Sequence, residues 1–315
     1  MKVFDQETTQ SVLSFERFIP ALREAFVTQC HVPPRHVHRI GEGPDAMTTL
    51  IMPAWAPDGL LGVKIVNIAP GNSALGKPGL HSTYLLYDAS TGEPLALIDG
   101  NEITSRRTAA ASALAASFLA REDASRLLIV GSGRVASLLA DAYAAIRPIA
   151  EVLIWNRREE SAATLAEDLK SRGFEASVAK DLSEAASAAD IITCATLATQ
   201  PLIQGAWLQP GSHLDLIGSF TPELREADDQ AFKGARIYID TPEALVKSGE
   251  MLGPMSRGIF EANDIAGTLE SLCNGSAAGR RSPQERTVFK SVGTALEDLA
   301  AATLVYEHGS GIGKQ

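Results

Sequence analysis

Leu127-Leu128-Ile129-Val130 runs directly into Gly131-Ser132-Gly133-Arg134-Val135-Ala136, and the residues that follow turn helical. A short apolar run, a G-x-G-x-x-A turn and a helix form the strand–turn–helix unit of a parallel α/β sheet. Each small residue has a physical reason. Gly131 permits the tight turn, Gly133 lets backbone approach a pyrophosphate, and Ala136 lets helix and strand pack closely. Free N–H groups and the helix dipole then favour an anion. The plain alternative is an ordinary βα turn, but the flanking strand and helix supply the context that dinucleotide binding requires. Gly131, Gly133, Arg134 and Val135 are its expected contacts.

The surrounding pattern agrees. Apolar runs at Leu127–Val130, Val152–Trp155, Ala176–Val178, Ile191–Cys194, Leu214–Ile217 and Ile237–Ile239 alternate with Ala-, Glu- and Leu-rich stretches. That alternation predicts six strands of a doubly wound, Rossmann-type parallel sheet covered on both faces. The second run ends in Trp155-Asn156-Arg157-Arg158, where NAD sites usually carry an acid for the ribose 2′-hydroxyl. Asn156 removes the charge that would repel a phosphate, and Arg157 with Arg158 offers cations to pair with one. The plain alternative is a solvated basic turn. The combination predicts NADP(H) as the preferred cofactor, with NAD(H) possible.

The first 120 residues read differently. Ile19, Leu22 and Phe26 recur at helical spacing, and strand-like runs follow at Thr48–Met52, Leu60–Ile68, Thr83–Asp88 and Leu95–Ile98. The last two flank a turn-rich Ala-Ser-Thr-Gly-Glu-Pro, which predicts a hairpin. This is an α+β layer, followed by an Ala-rich helix at Thr108–Ala120. The segment Thr287–Tyr306 reads as a helix that returns to pack on the N-terminal domain. Asn274–Pro283, with its Gly and Ser, reads as a mobile surface loop.

Of 315 residues, 45% are hydrophobic and 21% charged, which suits a packed protein rather than a disordered one. A net charge of −10 speaks against nucleic acid as a partner. No apolar run reaches the roughly 20 residues of a membrane span, and the N-terminus does not read as a secretory signal. Cys30, Cys194 and Cys273 are widely spaced without C-x-x-C, which argues against a structural metal and for a reducing cytoplasm. A small-molecule enzyme is the class these numbers favour.

Arg106 and Arg107 stand just ahead of the Ala-rich helix, with Thr104 or Ser105 as its expected N-cap. Cations there oppose the helix dipole unless an anion sits in front of them. Arg106 reads as paired with Glu102 or solvated, and Arg107 as the functional candidate. Lys64 shares its strand face with Gly62, Val66 and Ile68. Taken alone it reads as a snorkelling edge residue, and the alternative is a desolvated ammonium awaiting a carboxylate or imine.

Together these stretches resemble the ornithine cyclodeaminase/mu-crystallin family. The resemblance rests on Gly62–Asn72, Asp88–Ala111, Leu128–Ala136, Val152–Arg157, Thr193–Pro201, Asp215–Glu226 and Val288–Leu299, in order along nearly the whole chain. Within the family the sequence is most similar to the ketimine reductases. The resemblance implies a homodimer, with residues 1–120 and a returning helix over 287–315 as a substrate and dimerisation domain. It assigns 121–286 to an NADP-binding domain and implies a nicotinamide held between the two. By motif, Lys64 and Arg107 would grip the substrate carboxylate as the catalytic pair, with Arg35 as a third candidate. Thr196, Leu197 and Gly218 would line the nicotinamide, Ser291 would reach the cofactor, and Val292 would touch the substrate.

One departure separates the family's chemistries. Ornithine cyclodeaminases carry an Asp two residues before the proline where this chain has Phe220-Thr221-Pro222. An aromatic ring cannot shuttle protons, so hydrolytic deamination lacks its carboxylate. Asp228 reads as helical and a weak substitute, and His81 as structural. The implied activity is NADPH-dependent reduction of Δ1-pyrroline-2-carboxylate or Δ1-piperideine-2-carboxylate to L-proline or L-pipecolate. Ornithine cyclodeaminase, an alanine-type amino-acid dehydrogenase and a non-enzymatic binding protein are the alternatives. The site expected from sequence is rich in cations and holds no acid able to activate water.

Overall fold

The computed structural model describes residues 1–309 apart from Pro44, Asp58 and the side chain of Ser73. By Cα proximity the chain divides into two compact units: residues 1–107 with the segment from Thr294 onward, and residues 108–293. The division at Arg107/Thr108 falls earlier than the expected 120, and the one at Gly293/Thr294 later than the expected 286.

In the first unit, β1 (Lys2–Phe4), α1 (Gln6–Val12) and α2 (Phe15–Val27) precede β2 (His36–Ile40), β3 (Met47–Trp55), β4 (Leu60–Ile68), β5 (Leu80–Asp88) and β6 (Pro94–Asp99). The six strands form one sheet in the order β1-β6-β5-β4-β3-β2, antiparallel except where β1 lies parallel to β6. β4 alternates, burying Gly62, Lys64 and Val66 on one face. α2 packs on the helix at Ala295–His308, and its Phe15, Phe18, Ile19, Leu22 and Phe26 make a buried stripe at helical spacing.

A long helix, α3 (Gly100–Leu119), leaves this unit and enters the second. It begins well before the predicted Thr108. Asp99 accepts the Glu102 amide at 2.8 Å, so the helix starts on a D-x-x-E signal upstream of the Ala-rich run. Arg106 and Arg107 therefore lie inside the helix, Ser105 donates back to the Asn101 carbonyl, and the argument from a cation at a helix start does not apply.

The second unit holds β7 (Arg126–Val130), α4 (Ala136–Ala144), β8 (Glu151–Trp155), α5 (Glu159–Ser171), β9 (Ala176–Val178), α6 (Leu182–Ala188), β10 (Ile191–Cys194), β11 (His213–Leu216) and β12 (Arg236–Ile239). Then come α7 (Ala244–Lys247), α8 (Gly249–Ser256), β13 (Ile265–Thr268), α9 (Leu269–Cys273) and β14 (Thr287–Lys290). All eight strands are parallel, in the order β13-β12-β14-β11-β10-β7-β8-β9. The six predicted strands are present, and β13 and β14 complete the sheet.

β14 corrects the reading of Thr287 onward as helix. Thr287–Lys290 is an inner strand buried at every residue, and Lys290 within so short a run hides its character. The helix, α10 (Ala295–His308), starts after it and packs on α2 and β4 in the first unit. Residues 310–315 of the expected helix lie outside the described residues. The loop read as mobile is also tied down. Arg280 donates to the carbonyls of Leu119 and Glu285, and the Tyr238 hydroxyl to that of Ala278.

Candidate active site

In the second unit the fingerprint turn forms a cradle. Gly131 sits at φ +118°, and a Cβ there would fall 2.6 Å from the Ala195 carbonyl oxygen, so only glycine fits. At Gly133 a Cβ would meet nothing within 4 Å, which leaves the backbone open to a ligand. Val135 is the N-cap of α4 and gives its amides no side-chain hydrogen bond, while Arg134 is exposed beside it. The Ser137 and Leu138 amides bond back to the Gly133 and Val135 carbonyls, and the open backbone at Gly133 at a helix start is what a pyrophosphate needs. The residues present fit a dinucleotide.

A groove of about 330 Å³ follows from there, lined by Gly131, Gly133, Asn156, Arg157, Arg158, Thr196 and Leu197 among others. Arg157 and Arg158 are exposed, and the Asn156 amide donates to the Arg158 carbonyl, shaping the turn between them. Leu197 is 73% exposed. The sheet order sets out the predicted contacts as a row at the carboxyl ends of adjacent strands. Asn156 follows β8, Gly131 follows β7, Thr196 follows β10, Gly218 follows β11 and Ser291 follows β14. This is where ligands bind in open parallel sheets. Ser291 and Val292 are buried in the turn after β14, and the Val292 amide donates to Asp240 at 2.7 Å.

In the first unit Lys64 and Arg107 converge. The Lys64 ammonium lies 2.6 Å from Asp298, and Arg107 reaches Glu297 at 2.7 Å and Asp298 at 3.2 Å. Both carboxylates project from the first turn of α10, where the helix dipole favours acids, and both are fully buried. The site that the sequence predicts as rich in cations also holds two acids, Glu297 and Asp298, each paired with a cation. A buried ammonium without a counter-charge is too costly, and α10 supplies the partner. Burial pushes the Lys64 pKa down to about 8, against the upward pull of Asp298 and with a further downward push from Arg107. Arg106 pairs with Glu102 at 3.0 Å.

Beside Lys64 in register stands Tyr84, whose hydroxyl lies where a side chain on Gly62 would be. It is buried and finds no hydrogen-bond partner among the described residues, and burial raises its pKa. Arg35 is half-buried one residue ahead of β2, and the register carries it toward the row of Met52 and Lys64. Two strand spacings, roughly 10 Å, separate its backbone from that of Lys64. His81 is exposed and, by alternation, faces away from Lys64. Asp228 is not helical: it caps the short turn at Asp229–Ala231 and accepts the Gly205 amide at 2.8 Å. Phe220 is 42% exposed in the chain after β11.

Sequence reasoning missed Glu297, Asp298, Tyr84 and a buried charged set in the second unit, Glu226, Asp240, Glu250 and Lys290. The signal for the first pair was Thr294-x-x-Glu297, a capping pattern with a second acid in an otherwise apolar turn.

Comparison with known proteins agrees with this architecture. The family model for the ornithine cyclodeaminase/mu-crystallin family matches residues 2–312. The Δ1-pyrroline-2-carboxylate reductase of Colwellia psychrerythraea is 36% identical over 98% of this chain and 99% of its own. The structure of the Thermococcus litoralis Δ1-pyrroline-2-carboxylate reductase, in complex with NADH and L-proline, superposes with a TM-score of 0.93 at 31% identity over 100% of both chains. An archaeal alanine dehydrogenase dimer with bound NAD superposes at 0.91 and 31% identity, over 99% of this chain and 96% of that one. The match over almost every residue shows that this chain belongs to the ornithine cyclodeaminase/mu-crystallin family.

Proposed function

We propose that the protein is an NADPH-dependent ketimine reductase that converts Δ1-pyrroline-2-carboxylate or Δ1-piperideine-2-carboxylate to L-proline or L-pipecolate. It is a nicotinamide-dependent oxidoreductase acting on a C=N bond. Relatives that carry the name Δ1-pyrroline-2-carboxylate reductase at 36–40% identity support that class, as does the neighbour with NADH and L-proline. The observation that carries the reading is the solvent-shielded cluster of Lys64, Arg107, Glu297 and Asp298.

A protonated cyclic imine acid bears a carboxylate and an iminium, and this cluster offers charges of both signs. Lys64 and Arg107 grip the carboxylate, with Arg35 as an outer cation, and so fix the face of the ring that reacts. Val292 supplies apolar contact. The row from Asn156 to Ser291 would hold a nicotinamide cofactor, which would supply hydride to an imine carbon when bound. The Lys64 ammonium is the candidate donor for the imine proton. Glu297 and Asp298 are held by cations, and Phe220 stands where hydrolytic deamination needs a carboxylate, so the site has no group poised to activate water.

Asn156, Arg157 and Arg158 support NADPH over NADH, since the turn presents two guanidinium groups and no acid to the ribose. The first unit is the substrate and dimerisation layer of a homodimer, a reading supported by the dimeric alanine dehydrogenase neighbour. Three free cysteines suit the cytoplasm, and no described helix is long and apolar enough to cross a membrane. Amino-acid analysis of a mixture of protein, NADPH and each imine tests the proposal. L-proline or L-pipecolate should appear in proportion to NADPH consumed; neither product, with NADPH intact, overturns it.

A further inference from the structure

Glu226 lies beyond β11 with its carboxylate fully buried, and both oxygens are engaged. Oε1 accepts the amide and the hydroxyl of Thr196, each at 2.7 Å, and Oε2 accepts the Gly218 amide at 2.7 Å. Thr196 opens the loop after β10 and Gly218 the loop after β11. These loops touch, because a Cβ on Gly218 would fall 1.8 Å from the Thr196 carbonyl oxygen. Glu226 is itself pinned through its own amide and that of Ala227, which donate to Glu250 at 2.7 and 3.0 Å.

The counter-charge is Lys290, buried at the end of β14, which donates to the Leu216 carbonyl at 2.8 Å and acts electrostatically on Glu226, Glu250 and Asp240. Burial pushes the Glu226 carboxyl up and Lys290 opposes it. Backbone amides can only donate, so both oxygens face donors, as the ionised form requires. Beyond β12 the pattern repeats: Asp240 accepts the amides of Val292 and Gly293 at 2.7 and 2.6 Å. Packing alone would be met more cheaply by an apolar side chain.

The strand order says what this arrangement supports. Asn156 to Arg158 mark the adenosine end and Gly131 with Gly133 the pyrophosphate. The loops after β10, β11 and β14 therefore continue the row on the nicotinamide side. We propose that Glu226 is a positioning residue for the nicotinamide end of the cofactor site, acting through Thr196 and Gly218, with Asp240 holding the turn at Val292 in the same manner. This rests on reading the groove as a dinucleotide site.

Glu226→Gln is the test. The glutamine oxygen can still accept from Thr196, but its NH₂ then meets the Gly218 amide, donor against donor, in a buried place. The variant and the parent are titrated with NADPH and with 2′-phospho-ADP-ribose, which keeps the adenosine and pyrophosphate and lacks the nicotinamide. NADPH should weaken about tenfold or more, as expected for an orphaned buried amide. Binding of 2′-phospho-ADP-ribose should stay within about twofold. Equal losses for both probes, or no loss for either, would overturn the positioning role. A parent protein that binds neither probe would overturn the dinucleotide reading instead. If Glu226→Gln does not fold, Thr196→Val removes one of the three hydrogen bonds and is read by the same pair of titrations, with the same asymmetry expected.

Discussion

The Lys64 ammonium on β4 and the Asp298 carboxylate on α10 meet at 2.6 Å with both side chains closed to solvent, although 234 positions of chain separate them. The contact ties the helix to the sheet and fixes where the ammonium points. Asp298→Asn keeps the shape and removes the counter-charge. Breaking a buried pair in this way costs about 3–5 kcal/mol. Denaturant unfolding should show a loss of that order, together with a lower kcat/KM for the imine. A variant as stable and active as the parent would mean that the pair does neither task.

The pH dependence follows from the same lysine. Burial pushes its pKa down to about 8 from its ordinary 10.5, so the ammonium proposed to grip the substrate carboxylate is present below about pH 8 and lost above it. kcat/KM for the imine acid should fall as pH rises through that value. For stability the sign is opposite. Between about 8 and 10.5 the unfolded chain holds the proton more tightly, so this group makes folding more favourable as pH rises. Lys64→Arg keeps its charge throughout, so whatever activity it retains should lack the alkaline limb. An unchanged limb in that variant would assign the titration elsewhere.

Arg107 spans two carboxylates, and its planar fork matters as much as its charge. Arg107→Lys should therefore recover only part of what Arg107→Ala loses in KM for the imine. Full recovery by lysine would reduce the role of Arg107 to charge alone.

Gly131 and Gly133 separate folding from binding. In Gly131→Ala the new methyl meets the Ala195 carbonyl at φ +118°, so the melting temperature and cofactor affinity should fall together. In Gly133→Ala the methyl meets nothing of the chain, so the melting temperature should hold while NADPH binding is lost. If Gly133→Ala binds NADPH as the parent does, the pyrophosphate does not approach there.

Cofactor choice is read at Arg157. Arg157→Ala should weaken NADPH roughly 10- to 100-fold, the worth of a charge-assisted hydrogen bond. NADH should be nearly unaffected, and equal losses would remove the phosphate contact.

What the sequence made legible was local. The fingerprint at Gly131–Ala136, the six apolar runs and the alternation around Lys64 each state their geometry within a few residues, and these elements form. What it hid depends on distant chain. Glu297 and Asp298 look like an ordinary acidic first turn until α10 is laid against β4. Lys290 disguises β14 because a buried lysine makes sense only with Glu226, Glu250 and Asp240 around it. The start of α3 is hidden because the Ala-rich run is a stronger helix signal than Asp99-x-x-Glu102, where the helix begins. Cations are conspicuous in a sequence, whereas the acids that neutralise them are settled by tertiary structure.

The most direct test of the ketimine reductase assignment is NADPH oxidation followed at substrate saturation with Δ1-pyrroline-2-carboxylate and Δ1-piperideine-2-carboxylate, beside pyruvate with ammonium and beside ornithine. Turnover with a cyclic imine should need no ammonium and run faster with NADPH than with NADH. Turnover confined to pyruvate with ammonium, or proline formed from ornithine without net use of cofactor, would contradict the assignment.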